Sequence, residues 1–302
     1  MTKINLQEAK QFLSNLNNNG GPELKDFQTL DNFFFALDAD IRERRFTKEE
    51  LAQLNTCFDF DKMPGSFHSM CMQKPFGYAG DFLVIDKIYT YHKSKNASRW
   101  DEYFHTQSAT KAVRNRKDYF KQSVKNFLAE KNDPAEIRLL NIASGPCRDL
   151  LELYEDENIH TSIKTTCVDM DAHAIAYSKK MTSKHAGKIN FILKNILRFD
   201  CEEKFDIIWS AGLFDYFNDA VFVRLLKRMK NWLQPNGRIV IGNFNQEYNP
   251  SRTYMEVMGE WFLEHRSEAH LLSLAEKAGY TNCTISVERE QENVNLFLNI
   301  SM

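Results

Sequence analysis

The feature that most limits what this chain can fold into is a change of periodicity at Asp133-Pro134. Beyond it, short apolar runs at 138–143, 164–168, 189–193, 205–210 and 238–244 read as strands. Between them, 149–154, 172–182 and 220–233 carry helical spacing, and Ser144-Gly145-Pro146 and Pro235-Asn236-Gly237 act as breakers. Strands that alternate with helices pair through crossover connections, which predicts an α/β fold with a mainly parallel, doubly wound sheet. Residues 281–288 and 294–301 then form a strand pair joined by a short polar turn.

Before residue 133 the pattern is helical. Leu6, Ala9, Phe12, Leu13 and Leu16 recur at three- and four-residue steps until Asn19-Gly20-Gly21-Pro22 stops them. A second stripe runs through Leu30, Phe33, Phe34, Leu37 and Ile41, and Thr47 with Glu50 has the form of a capping box. Residues 74–81 make a Gly-rich loop, and helical spacing returns at 82–91 and 110–128. The expected division is a helical cap or substrate region over 1–132 and a catalytic domain over 133–302.

In doubly wound sheets ligands bind beyond the carboxyl ends of the strands, so the residues that follow each strand carry the functional signal. After the first strand comes Asn141-Ile142-Ala143-Ser144-Gly145-Pro146-Cys147, a tight turn of small residues that brings backbone N–H groups near a ligand. After the second comes Asp169, 24 residues beyond Gly145, a spacing at which a carboxylate meets ribose hydroxyls. Asp171 can cap the next helix, which leaves Asp169 for a ligand. Asn195-Ile196 follows the third strand, where an amide can read an adenine edge, and Ser210 closes the fourth.

In that order these features resemble the class I S-adenosylmethionine (SAM)-dependent methyltransferases, across residues 138–244. The resemblance implies a Rossmann-like sheet of seven strands, closed by an antiparallel hairpin and preceded by a helical region. It implies SAM as cofactor, with Ala143 and Gly145 along the methionine moiety, Asp169 on ribose, Asn195 and Ile196 around adenine and Ser210 near the sulfur. Tyr78, Arg114 and Met170 complete the expected cofactor set. The family usually has an acid where this chain has Asn141 and glycines at 143 and 147; Asp81 or Asp149 could supply the acid. Lys74–Asp81, 112–116 and 260–267 further resemble a bacterial group with a helical N-terminal region. That group includes proteins assigned to making a 3-hydroxy fatty acid methyl ester.

Methyl transfer is an in-line displacement that needs a positioned acceptor and little else; a carboxylate wants a cationic clamp, a hydroxyl a base. Candidates around the opening are Tyr78, Asp81, Arg114, Asp215, Tyr216, Tyr254, His265 and Arg266, of which Tyr78, Asp81, His265 and Arg266 are the expected catalytic set. The expected acceptor is a small molecule with an apolar body, methylated on oxygen, with N-methylation of a small amine as the alternative. A nicotinamide-dependent oxidoreductase is the rival enzyme, and the missing GxGxxG and the closing hairpin count against it. A non-catalytic SAM-binding or adaptor protein is the rival of another class.

Charge narrows the partners. Thirty-nine Lys+Arg against 41 Asp+Glu give a net charge of −2, without the basic surface that nucleic acid demands. The basic run Lys111, Arg114, Arg116, Lys117, Lys121 and Lys125 reads as a solvated helix face. Six cysteines with no CxxC predict reduced thiols and a cytoplasmic protein, and no apolar stretch approaches the ~20 residues that span a bilayer. His68 and Cys71 form an isolated HxxC, and His265 and His270 are splayed at a five-residue step, so no metal site is expected. A homodimer is left open.

Overall fold

The computed structural model describes residues 4–302. Its helices are α1 (Leu6–Asn18), α2 (Phe27–Arg42), α3 (Lys48–Ala52), α4 (Phe67–Gln73), α5 (Phe82–Tyr89), α6 (Ser98–Thr106), α7 (Ser108–Glu130), α8 (Arg148–Tyr154), α9 (Ala172–Met181), α10 (Asp219–Trp232), α11 (Arg252–Gly259) and α12 (Glu268–Lys277). Its strands are β1 (Glu136–Ile142), β2 (Ser162–Asp169), β3 (Ile189–Leu193), β4 (Phe205–Ser210), β5 (Leu233–Phe244), β6 (Thr284–Arg289) and β7 (Asn295–Ser301). A helical unit runs up to Lys111 and includes Pro250–Phe262, and an α/β unit comprises Ala112–Asn249 and Leu263–Met302.

The seven strands of the α/β unit form one sheet in the order β3-β2-β1-β4-β5-β7-β6. β1 to β5 are parallel, and β7 lies antiparallel between β5 and β6. From β1 the chain builds outward to β3 on one side and then returns to place β4 on the other, so the order reverses between β1 and β4. Side-chain alternation explains why both faces are covered. Leu140, Ile142, Ile208, Ile239 and Ile241 turn toward Phe222, Leu225, Leu226 and Met229 of α10 and Leu271 and Leu274 of α12. Leu139, Cys167, Ile207, Trp209 and Val240 turn the other way, toward Phe120, Val124 and Phe127 of α7 and Leu150 and Leu153 of α8. Each such side chain contributes roughly 1.5–3 kcal/mol on leaving water.

That second face explains why the division departs from residue 133. From Ala112 onward α7 lays an apolar stripe on the sheet, so it belongs to the α/β unit although no strand precedes it. Conversely, α11 lies in sequence between β5 and β6 but belongs to the helical unit. β5 also starts earlier than expected, at Leu233, because Pro235-Asn236-Gly237 forms an irregularity within the strand rather than a turn before it.

In the helical unit, Asn5 caps α1 by accepting the Gln7 and Glu8 N–H groups. Thr47 and Glu50 make the expected reciprocal box at α3. The core is aromatic. Around Tyr254 of α11 stand Phe34, Tyr103 and His68, at ring-centroid distances of 5.1, 5.3 and 5.7 Å. The Tyr254 hydroxyl lies 2.9 Å from His68 Nε2, so the HxxC histidine is a core residue. Among the described residues no helix is long and apolar enough to cross a membrane.

Candidate functional site

Three residues of the turn after β1 adopt left-handed backbone: Ala143 (φ 51°), Gly145 (φ 53°) and Cys147 (φ 54°). A non-glycine residue there costs roughly 1–2 kcal/mol, which marks the turn as a built feature. A Cβ added at Gly145 would meet nothing within 4 Å, so open space adjoins its backbone. The turn is pinned from three directions. The Ala143 N–H donates to the Val168 carbonyl at 2.8 Å, the Gly145 N–H to Asp169 Oδ2 at 2.9 Å, and the Ser178 hydroxyl of α9 to the Gly145 carbonyl at 2.6 Å.

Asp169 ends β2 and is buried. Burial raises its pKa, and the Asp171 and Gly145 N–H groups that it accepts pull the other way. Asp171 caps α9 through the His173 N–H. Met170, directly after Asp169, is 69% exposed, and Leu193, which pairs with Asp169 across β2 and β3, is 58% exposed. Two large apolar side chains thus stand in solvent beside a buried carboxylate. Ile196 is buried, and Asn195 caps the short 3₁₀ turn Ile196–Arg198 through the Leu197 N–H. The sheet therefore gathers Ala143, Gly145, Asp169, Met170, Asn195, Ile196 and Ser210 at the carboxyl ends of β1 to β4. The Ser210 hydroxyl is taken up by the Ile142 carbonyl at 3.2 Å, tying β4 to β1.

Burial and enclosing hydrogen bonds correct the expectations for Arg266, Asp81 and Tyr254. Arg266 is 1% exposed and braces the fold, donating to Asn243 Oδ1, the Phe214 and Phe217 carbonyls and Asp219. A guanidinium enclosed in this way is no clamp for a substrate. Asp81 is fully buried as the N-cap of α5, accepting the Leu83 and Val84 N–H groups at 2.9 Å each. Tyr254 is core. His265 lies with Nδ1 3.0 Å from the Leu263 carbonyl and Nε2 3.1 Å from Asn249 Nδ2, partners that fix the proton on Nδ1. Tyr78 is partly exposed on the helical unit, in the loop where a Cβ on Gly80 would collide with Trp261.

The basic run is likewise not one solvated face. Arg114 and Arg116 are buried, while Lys117 and Lys121 pair with Glu152 and Lys125 with Asp156. Arg116 Nη1 sits 3.5 Å from the Ala211 carbonyl, just past β4, and would be 3.0 Å from a Cβ on Gly212. Its charge acts on two buried carboxyls. Burial pushes Asp149 up to about 6 and Asp215 up to about 7, and Arg116 opposes both shifts. Asp215 also accepts the Phe244 N–H at 2.7 Å. The sequence signal for Arg116 is its place on the stripe of Phe120, Val124 and Phe127: a cation that extends an apolar stripe is not on the solvent side.

An open groove of about 570 Å³ on the helical unit is lined by Pro22, Leu24, Phe27, Lys93, Arg99 and Glu102 among others. Its cations pair with Glu23 and Glu102, so it offers no unopposed charge.

Residues 134–292, more than half of the chain, match the family described as Methyltransferase domain. Nodulation protein S of Rhizobium tropici is 26% identical over 121 residues, which cover 38% of this chain and 50% of that protein. The chain spans about half the length of the curated relatives that it matches. Among solved structures, a possible exported protein from Bordetella parapertussis superposes with a TM-score of 0.61 at 18% identity, over 73% of this chain and 79% of that one. Magnesium protoporphyrin IX methyltransferase from Synechocystis PCC 6803, with S-adenosyl-L-homocysteine (SAH) bound, gives 0.50 at 10% identity, over 64% of this chain and 86% of that one. At these identities the two structures speak for the fold alone. The match over 134–292, falling on the seven-stranded unit whose turn and carboxylate are described above, makes the chain a member of the methyltransferase domain family.

Proposed function

We propose that the protein is an enzyme that transfers the methyl group of SAM to oxygen on a small molecule with an apolar body. The observation that carries the cofactor reading is the open cradle at Gly145 beside buried Asp169, with Met170 and Leu193 exposed at its rim. A cradle without a side chain suits a ligand that approaches the backbone, and exposed apolar groups suit a flat base. Gly145 and Ala143 would hold the amino-acid part, Asp169 the ribose, and Met170, Asn195 and Ile196 the adenine. Bound SAM supplies an activated methyl on a sulfonium, whose departure needs no acid. The chain's own contribution is to position the acceptor and to exclude water.

Two arguments support an oxygen acceptor on an apolar molecule. The net charge of −2 does not favour nucleic acid, and the helical unit is rich in aromatic side chains. Arg114, buried and permanently charged, suits a carboxylate better than an amine. The six free cysteines suit a reducing compartment, and we place the protein in the cytoplasm. The test is an acceptor panel of fatty acids, phenols, amines and tRNA, assayed with labelled SAM and the purified protein. Label in fatty acids or phenols is the expected result. Label only in amines or RNA overturns the acceptor reading, and no transfer at all despite SAM binding favours a non-catalytic protein.

A further inference from the structure

Two cysteines from separate elements meet inside the α/β unit. Cys147 closes the turn after β1, and Cys167 lies in β2, two residues before Asp169. Both are free thiols and both are fully buried. Their Sγ atoms stand 3.8 Å apart, in van der Waals contact. A disulfide needs the sulfurs to close to about 2.05 Å, which from contact distance takes side-chain rotation and a small backbone shift.

The position of the pair gives such a bond a consequence. The Gly145 N–H donates to Asp169 Oδ2 at 2.9 Å, and that hydrogen bond ties the cradle to the end of β2. Cys147 follows Gly145 by two residues and Cys167 precedes Asp169 by two, so a covalent link between them runs beside that tie. Cys147 is in left-handed backbone at φ 54°, with its thiol 3.6 Å from the Ser144 carbonyl. Drawing its sulfur onto Cys167 takes the thiol off that carbonyl and pulls on a turn whose backbone is already strained. Peroxide is little larger than water, and the open space at Gly145 begins two residues from Cys147. Burial holds the Cys167 thiol protonated, so closure is slow and answers sustained rather than passing oxidant.

We propose that Cys147 and Cys167 form a redox pair, which hydrogen peroxide joins as a disulfide and which thereby weakens cofactor binding. One thiol sulfur attacks a peroxide oxygen; the O–O bond breaks, the sulfur becomes a sulfenic acid and a water leaves. The second thiol attacks that sulfur; the S–O bond breaks, the S–S bond forms and a second water leaves. Each thiol proton departs in a water, and the two electrons that the sulfurs lose reduce the peroxide. A dithiol reductant reverses the step by exchange. The bond stands apart from the SAM reading; its effect on the cofactor rests on that reading.

The experiment treats the reduced full-length protein with hydrogen peroxide, removes the excess, and follows two readouts. Peptide mapping without reduction is expected to show residues 147 and 167 linked, with two hydrogens lost. Calorimetry is expected to show SAH bound at least fivefold more weakly, with full affinity returning after dithiothreitol. In Cys167→Ala the same treatment should give no linked peptide and no change in SAH affinity; Cys147→Ala takes its place if that variant does not fold. No linked peptide at peroxide levels that oxidise the half-buried Cys57, Cys201 and Cys283 overturns the inference. A linked peptide with unchanged SAH affinity overturns it too, as does a loss of affinity that persists in Cys167→Ala. Reduced wild type that does not bind SAH overturns the SAM reading instead.

Discussion

Asp169 serves two backbone groups at once, holding the turn after β1 through Gly145 and its own chain through Asp171. Burial raises its pKa and the two N–H donors oppose that, so the site keeps a carboxylate from which water is mostly excluded. A carboxylate with lone pairs beyond those two bonds can still accept from vicinal hydroxyls. Asp169→Ala is therefore expected to weaken SAH binding by about 1.5–3 kcal/mol, the range for losing hydrogen bonds to a charged group. Calorimetry that returns an unchanged affinity removes Asp169 from the site. Arg266 teaches the opposite lesson. From sequence it offers a cation near the opening, yet five hydrogen bonds to four acceptors enclose it, and nothing in the order of residues reveals that.

At the scale of elements, the alternation after residue 133 made the sheet readable, because parallel strands covered on both faces are short, apolar and separated by helices. The turn at 143–147 was readable for the same reason: small residues after a strand leave backbone accessible. Less readable was α7, whose buried face comprises Arg116, Phe120, Val124 and Phe127 and looks like any amphipathic helix until the sheet is in place. Gly145 separates fold from function within this element. Its φ of 53° makes alanine cost about 1–2 kcal/mol in stability, while the new Cβ meets no protein atom. In Gly145→Ala the methyl instead enters the open cradle. SAH affinity is expected to fall at least tenfold with only that modest stability loss in urea unfolding. Full affinity in the variant means that the cradle does not hold the ligand.

At the scale of the molecule, the two units carry buried titratable groups of opposite sense. In the helical unit, burial lowers His68 to about 4, with Asp101 opposing. Unfolded, this histidine binds a proton below about 6.5, so between those values the unfolded chain holds more protons and acid erodes stability. In the α/β unit, burial raises Asp215 to about 7, opposed by the Phe244 N–H and by Arg116 and Arg266. There the folded state holds more protons between about 3.8 and 7, so the same acidification adds stability. Taking the pH from 7.5 to 5 should shift each group's contribution by on the order of 2 kcal/mol, in opposite directions. Carboxyls with lowered values titrate below this window and leave it undisturbed. Hydrogen exchange followed by mass spectrometry, corrected for the intrinsic pH dependence of exchange, reads the units separately. Peptides from α4 and α6 should lose protection on acidification, while those from α10 and β5 hold or gain it. His68→Gln should abolish the loss in the helical unit and leave the α/β unit's response intact. A parallel loss in both units, or a helical-unit loss that survives in His68→Gln, would show that these two buried groups do not govern the acid response.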